Sequence, residues 1–248
     1  MNKILDNRER AKNTIIAFWV MLGVYVIILV SDFMEYRLLT GDWMTLVRDA
    51  DANDTRQVAV ALIAMVFQIV LIVLFIQWFR RAYHNLHKAG EKGLVASEGW
   101  AAGYWFIPIA NWFKPYQIMR DIWNRTQSYV GGDVDELSET YDASIDGGSD
   151  HDTAETSLNV VNIWWAFWII SGITSTISIQ ITNNATEMDA FQMASLIGLV
   201  SDVAAIVAIF MAVRMIKNSQ IHQNKFLMSV KNKEQTTFGI SESDEILD

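Results

Sequence analysis

Long apolar runs alternate with short charged stretches along this chain, and four of the runs are long enough to predict membrane-crossing helices. A helix needs about 20 apolar residues to cross the hydrocarbon core of a bilayer. The run 14–30 is rich in Ile, Val and Leu, and 58–79 is uncharged, with Gln68 and Gln77 its strongly polar members. The run 158–181 lies inside a longer uncharged stretch, and 190–213 carries one charge, Asp202. Four such runs in 248 residues leave too little polar sequence to cover them as buried helices of a soluble protein. The expected fold class is therefore all-α, a polytopic membrane protein. It has four transmembrane helices, a re-entrant or interfacial Trp-rich segment and a cytoplasmic amphipathic helix.

Charge sets the expected orientation. Sixteen Lys and Arg residues lie in the N-terminal segment, in 80–125 and beyond the fourth run, against three in the connection between the first two runs. The positive-inside rule then places both termini in the cytoplasm. The basic start of the first run is compatible with a signal peptide, but Val30-Ser31-Asp32-Phe33 offers no small-x-small cleavage site, so a retained anchor is expected. The chain divides into a cytoplasmic N-terminus (1–13), two spans with the interfacial segment and amphipathic helix (14–125), a linker (126–157), two further spans (158–216) and a cytoplasmic tail (217–248). From 126 to 157 there is no Lys or Arg, and nine acids occur, which predicts a solvated, disordered linker rather than a calcium loop. The C-terminal tail has a similar composition and carries the same expectation. A net charge of -9 without a solvated basic stripe argues against nucleic acid as a partner.

The segment 99–113 fits none of the four spans. Fifteen helical residues cover only about 22 Å, and Pro108 would remove a hydrogen bond in the middle of the helix. A crossing here would also place the bases of 80–92 and 114–125 on opposite sides. The segment is therefore expected to dip into the cytoplasmic leaflet or lie flat in its interface, where Trp100, Trp105 and Trp112 suit the headgroup region. Gly99 and Gly103 are expected to permit close packing. After Pro115, the residues Tyr116, Met119, Ile122 and Trp123 recur at helical spacing opposite Gln117, Arg120, Asp121 and Asn124, and Gly131-Gly132 is the expected stop.

Three stretches then carry a resemblance: Arg81-Ala82-Tyr83-His84-Asn85-Leu86, Gly99-Trp100-Ala101-Ala102-Gly103-Tyr104-Trp105-Phe106-Ile107-Pro108-Ile109-Ala110-Asn111, and Pro115-Tyr116-Gln117-Ile118-Met119-Arg120-Asp121-Ile122-Trp123. The pattern is similar to a bacterial membrane family catalogued as domain of unknown function number 4328, densely so over 78–123. The resemblance implies a bacterial inner-membrane protein and supplies no activity or catalytic residues. The acidic linker and the tail are expected to lie outside it.

Candidate chemistry is sparse. Asp202 is an ionisable group within a span, which by default marks a functional site. The same depth in the antiparallel third span falls near Thr174 and Ser175, whose hydroxyls could bond it, while Gln68 offers itself from the second span. Helical glue is the first reading and a proton or cation site the second. Arg80, His84, His87 and Lys88 share one helical face beside Arg81, a cluster that anionic headgroups attract by about 1 kcal/mol per base. With Trp100, Trp105, Trp112 and Arg120 these are the candidates for lipid or partner contact. No cofactor, metal site or catalytic constellation is legible, so the chain is expected not to be an enzyme. The leading function is a membrane scaffold or regulatory subunit. Its expected partners are anionic inner-leaflet lipids and a membrane protein or a second copy. A small transporter or channel using Asp202 ranks second, and a lipid-acting enzyme third.

Overall fold

The computed structural model describes the backbone of residues 4–138 and 150–245, and side chains over 4–127 and 159–230. All regular structure among these residues is helical. The long elements are α1 (Arg8–Leu39), α2 (Trp43–Lys88), α4 (Lys114–Ser138), α5 (Asp150–Asn184) and α6 (Met188–Glu245). Between α2 and α4 lie one helical turn, α3 (Trp100–Gly103), and two 3-10 turns, Tyr104–Phe106 and Ala110–Trp112. Four helices, α1, α2, α5 and α6, are long and apolar enough to cross a membrane, and the 100–113 turns are not among them. In the most apolar window of α2 only 11 % of residues are buried. Val58, Leu62, Ile63, Val66, Phe67 and Ile69 all face outward there. In water that surface would be strongly unfavourable, whereas hydrocarbon solvates it without penalty.

The helices outrun their apolar stretches. α1 continues nine residues beyond Val30, because no breaker interrupts it before the turn at Thr40 and Gly41. Asp42 then starts α2, accepting from the Thr45 N–H (3.0 Å) and the Thr45 hydroxyl (2.6 Å), and these bonds hold its carboxyl below the usual range. The other end of α2 is closed by paired bonds, Gly90 N–H to His87 O and Glu91 N–H to Leu86 O. They require the positive φ of Gly90 (83°). α4 runs through Gly131-Gly132, the expected stop, to Ser138, since glycine weakens a helix without forbidding it. Within the stretch expected to be a disordered linker, 126–138 and 150–157 are helical, and 139–149 lie outside the described residues. The tail is likewise helical to Glu245, anchored at its start by Ser219, Gln223 and Phe226, which are buried at helical spacing.

The chain forms two compact units, and α1, α2, α5 and α6 each contribute to both. The first unit comprises residues 1–11, 76–158 and 216–248. Its core joins Trp78, Phe79, Tyr83 and Leu86 of α2 to Ile118, Met119, Ile122 and Trp123 of α4, all fully enclosed. The N-terminus is tied in by polar bonds. Asn85 exchanges two hydrogen bonds with the backbone of Leu5 (3.0 and 2.8 Å). Buried Asn7 donates to Trp78 O (3.1 Å) and to Gln223 Oε1 (3.2 Å).

The second unit comprises 12–75 and 159–215. Phe18 of α1 meets Phe75 of α2 edge-on at 6.0 Å, and Phe75 meets Trp164 of α5 at 6.1 Å. α6 presents a buried row of small residues, Ala204, Ala205, Ala208 and Ala212, which permits close helix approach. Side-chain hydroxyls tie the helices together: Thr14 donates to Leu74 O, Ser178 to Ala194 O and Ser201 to Ser171 O.

Candidate functional site

In the first unit, loop 94–98 is strapped to α2 and α4. The Tyr83 hydroxyl donates to Ala96 O and accepts from Ala96 N–H, both at 2.9 Å. Asp121 Oδ2 accepts from Val95 N–H at 2.8 Å. Glu98 reaches His84 Nδ1 at 2.6 Å and Lys88 Nζ at 3.8 Å. An ionised carboxylate only accepts, so the imidazole Nδ1–H is the donor. That bond, followed by the charges around it, holds the Glu98 carboxyl below its usual range. The basic face of α2 is thus divided. His84, His87 and Lys88 turn to the loop, Arg81 donates to Asp6 O (2.9 Å), and Arg80 is exposed. Glu98 was not singled out from sequence. An acid in the loop following a basic helical face was the available signal.

Beyond this strap, residues 100–113 expose their apolar side chains. Phe106 is 73 % and Ile109 78 % exposed, and Trp100, Trp112 and Phe113 are also exposed. Trp105 is the inward member, edge-on to Phe79 at 5.8 Å. Trp100 stacks on Tyr104 at 5.2 Å, and a Cβ on Gly103 would come within 3.0 Å of the Trp100 ring. Gly103 therefore permits the local close approach, whereas Gly99 faces open space. Basic groups border the surface: Lys114 lies over the Tyr104 ring at 5.8 Å, and exposed Arg120 lies over Tyr116 at 5.7 Å. The fold thus makes one continuous chain segment both apolar and outward-facing, with cations at its end.

In the second unit, Asp202 lies 7 % exposed on α6, and its carboxyl meets that of Asp32 on α1. The sequence pointed instead to Thr174, Ser175 and Gln68. Thr174 is satisfied by its own helix, donating to Ile170 O and Ser171 O, and Gln68 is half-buried on α2. The contact between α5 and α6 near this depth is made by Ser171 and Ser201 rather than by Asp202. Asp32 lies outside the first apolar run, which hydropathy ends at Val30. Following the unbroken helix one turn further would have found it together with Glu35. Gln57 of α2 bridges those two acids, donating to Asp32 Oδ1 (3.1 Å) and Glu35 Oε2 (2.6 Å), and accepts from Ser31 Oγ. Arg56 is engaged by Ser31 and Asn53. Asp32, Glu35 and Asp54 line a cavity of about 560 Å³, whose remaining wall is largely apolar. No cluster of three or more metal-ligating side chains exists among the described residues.

Fold and surfaces together define a class: a helical chain with four membrane-length helices, an outward-facing aromatic segment and a carboxyl pair between two of those helices. The chain belongs to the family described as Domain of unknown function (DUF4328), which it matches over residues 46–220. The match includes the three stretches singled out from sequence and runs through the acidic 126–157 stretch, which was expected to fall outside. Asp32 and Glu35 lie before it, and the tail beyond residue 220 lies after it. No curated protein and no solved structure matches the chain significantly.

Proposed function

We propose that the chain is a multi-pass protein of the bacterial inner membrane, with both termini cytoplasmic, that acts as a non-catalytic scaffold or regulatory subunit. Its working surface is the 99–113 segment at the inner leaflet. The observation that carries this reading is the outward exposure of Trp100, Phe106, Ile109, Trp112 and Phe113 on a segment too short to cross. Indoles favour the headgroup region, and bases such as Arg80 and Arg120 favour anionic lipid beside it. A membrane-protein partner or a second copy docks on the same face. Spin labels at Ala102 and Ile109 should show shallow to intermediate immersion, and labels at Lys92 and Arg125 should both be water-accessible from the cytoplasmic side. Accessibility of Lys92 and Arg125 from opposite sides would overturn this reading.

The meeting of Asp202 with Asp32 favours a second reading, a small transporter or channel. Intramembrane carboxyls are typical of proton and cation paths. On that reading Asp202→Asn abolishes ion flux in proteoliposomes while leaving the protein monodisperse. Flux equal to the wild type would remove it.

A further inference from the structure

In the first unit the N-terminal segment is fastened along the end of α2 by an ordered set of bonds. Asn85 pairs with the Leu5 backbone, and Arg81 donates to Asp6 O at 2.9 Å. Asn7 donates to Trp78 O, and Arg10 donates to Gln77 O at 2.9 Å. Residues 5, 6, 7 and 10 thus meet 85, 81, 78 and 77 in turn, so the two stretches run antiparallel. This register gathers three guanidinium groups. Gln77 and Arg81 are one turn apart on α2, so the Arg10 side chain that reaches the Gln77 carbonyl arrives beside Arg81. Arg10 lies within the field of both Arg81 and Arg80. Arg10 and Arg81 are half-buried, and Arg80 is exposed. A carbonyl carries no net charge, so the two backbone bonds fix Arg10 and Arg81 without neutralising them. Of the acids in this segment, Asp6 holds Arg8 Nε and Nη2 (2.9 and 2.7 Å), and Glu9 is exposed.

Like charges held together repel, and an anion between them reverses the sign of that interaction. Retention of a loop in the cytoplasm requires bases on the right side, not bases fastened against one another. The uncharged run of α2 ends at Phe79, so Arg80 and Arg81 stand at its border, the depth of lipid headgroups. We propose that Arg10, Arg80 and Arg81 form a site for the phosphate of one anionic phospholipid. Guanidinium forks bind phosphate oxygens through paired N–H bonds, and two of the three forks are already held in place. A zwitterionic lipid offers the same phosphate but brings its own cation, which three guanidiniums disfavour. The inference rests on the membrane placement proposed above, and deepens it by replacing general attraction to anionic lipid with one fixed site.

The test is native mass spectrometry of the full chain released from a neutral detergent, titrated with phosphatidylglycerol or with phosphatidylcholine. A first phosphatidylglycerol adduct that saturates is expected, with phosphatidylcholine weaker by at least about tenfold. Arg10→Gln and Arg80→Gln should each weaken phosphatidylglycerol by about tenfold. Lys92→Gln makes an equal change of charge at an exposed loop residue of the same unit, and should change binding by less than about twofold. Arg80 is exposed, so Arg80→Gln leaves the bonds of the N-terminal segment in place and decides the matter if Arg10→Gln disturbs folding. Equal losses in Arg80→Gln and Lys92→Gln would mean attraction by net charge alone and would overturn the proposal, as would equal binding of the two lipids. Displacement of phosphatidylglycerol by excess inorganic phosphate would assign the site to a soluble anion and overturn the lipid as its occupant. The spin-label depths that test the scaffold reading do not involve Arg10, so either reading can fail alone.

Discussion

Trp123→Ala is expected to cost about 3–5 kcal/mol, because a fully buried indole leaves a cavity that the surrounding side chains fill only in part. Trp123 is enclosed on α4 among residues of the first unit, and its ring meets His222 of α6 edge-on at 5.3 Å. Such aromatic pairs add about 0.5–1.5 kcal/mol beyond area burial. Trp123→Phe keeps a ring in place and should lose only a part of the stability. Reversible unfolding in mixed micelles, followed by near-UV circular dichroism, would measure both. A loss below about 1 kcal/mol for Trp123→Ala would mean that this indole is solvated by lipid rather than packed in a core, and the description of the first unit would have to change.

That contrast between packed and lipid-solvated aromatics shows what the sequence could and could not convey. Helix number and the core-facing side of α4 were legible, because both follow from periodicity and from the length of uncharged runs. Met119, Ile122 and Trp123 are buried as their spacing predicts, with exposed Arg120 and Asn124 on the other side. The ends of helices were less legible. Hydropathy stops counting where charge begins, although a helix needs only the absence of a breaker, so α1 passes Val30 and carries Asp32 and Glu35 into the second unit. The Trp-rich segment reads uniformly as interfacial. Only the fold separates Trp105, turned inward to Phe79, from exposed Trp100 and Trp112. Matching depth across two antiparallel helices is the one guide that sequence offers to partners of Asp202. That method finds the right level on α5, where Ser171 meets Ser201, and has no means of choosing α1. Long-range pairings such as Asn7 with Gln223 leave no local trace at all.

A single cysteine at Ser97 should escape an impermeant maleimide in intact cells, and one at Asp51 should react fully. The chain contains no cysteine, so each variant reports one position without background. Both positions are exposed, so protection at one of them must come from the membrane rather than from packing. Ser97 lies in the loop between α2 and α3, among the basic stretches of 80–125. Asp51 lies on the charged first half of α2, N-terminal to its apolar run. One membrane-length apolar run separates the two, so they must report opposite sides. The sixteen bases against three decide which side is which, because bases flanking a span are retained in the cytoplasm. Permeabilised cells should label both cysteines equally, which controls for reactivity. Labelling of Ser97 but not Asp51 in intact cells would invert the topology. It would also place the 99–113 surface against the outer leaflet, where it could not serve a cytoplasmic scaffold.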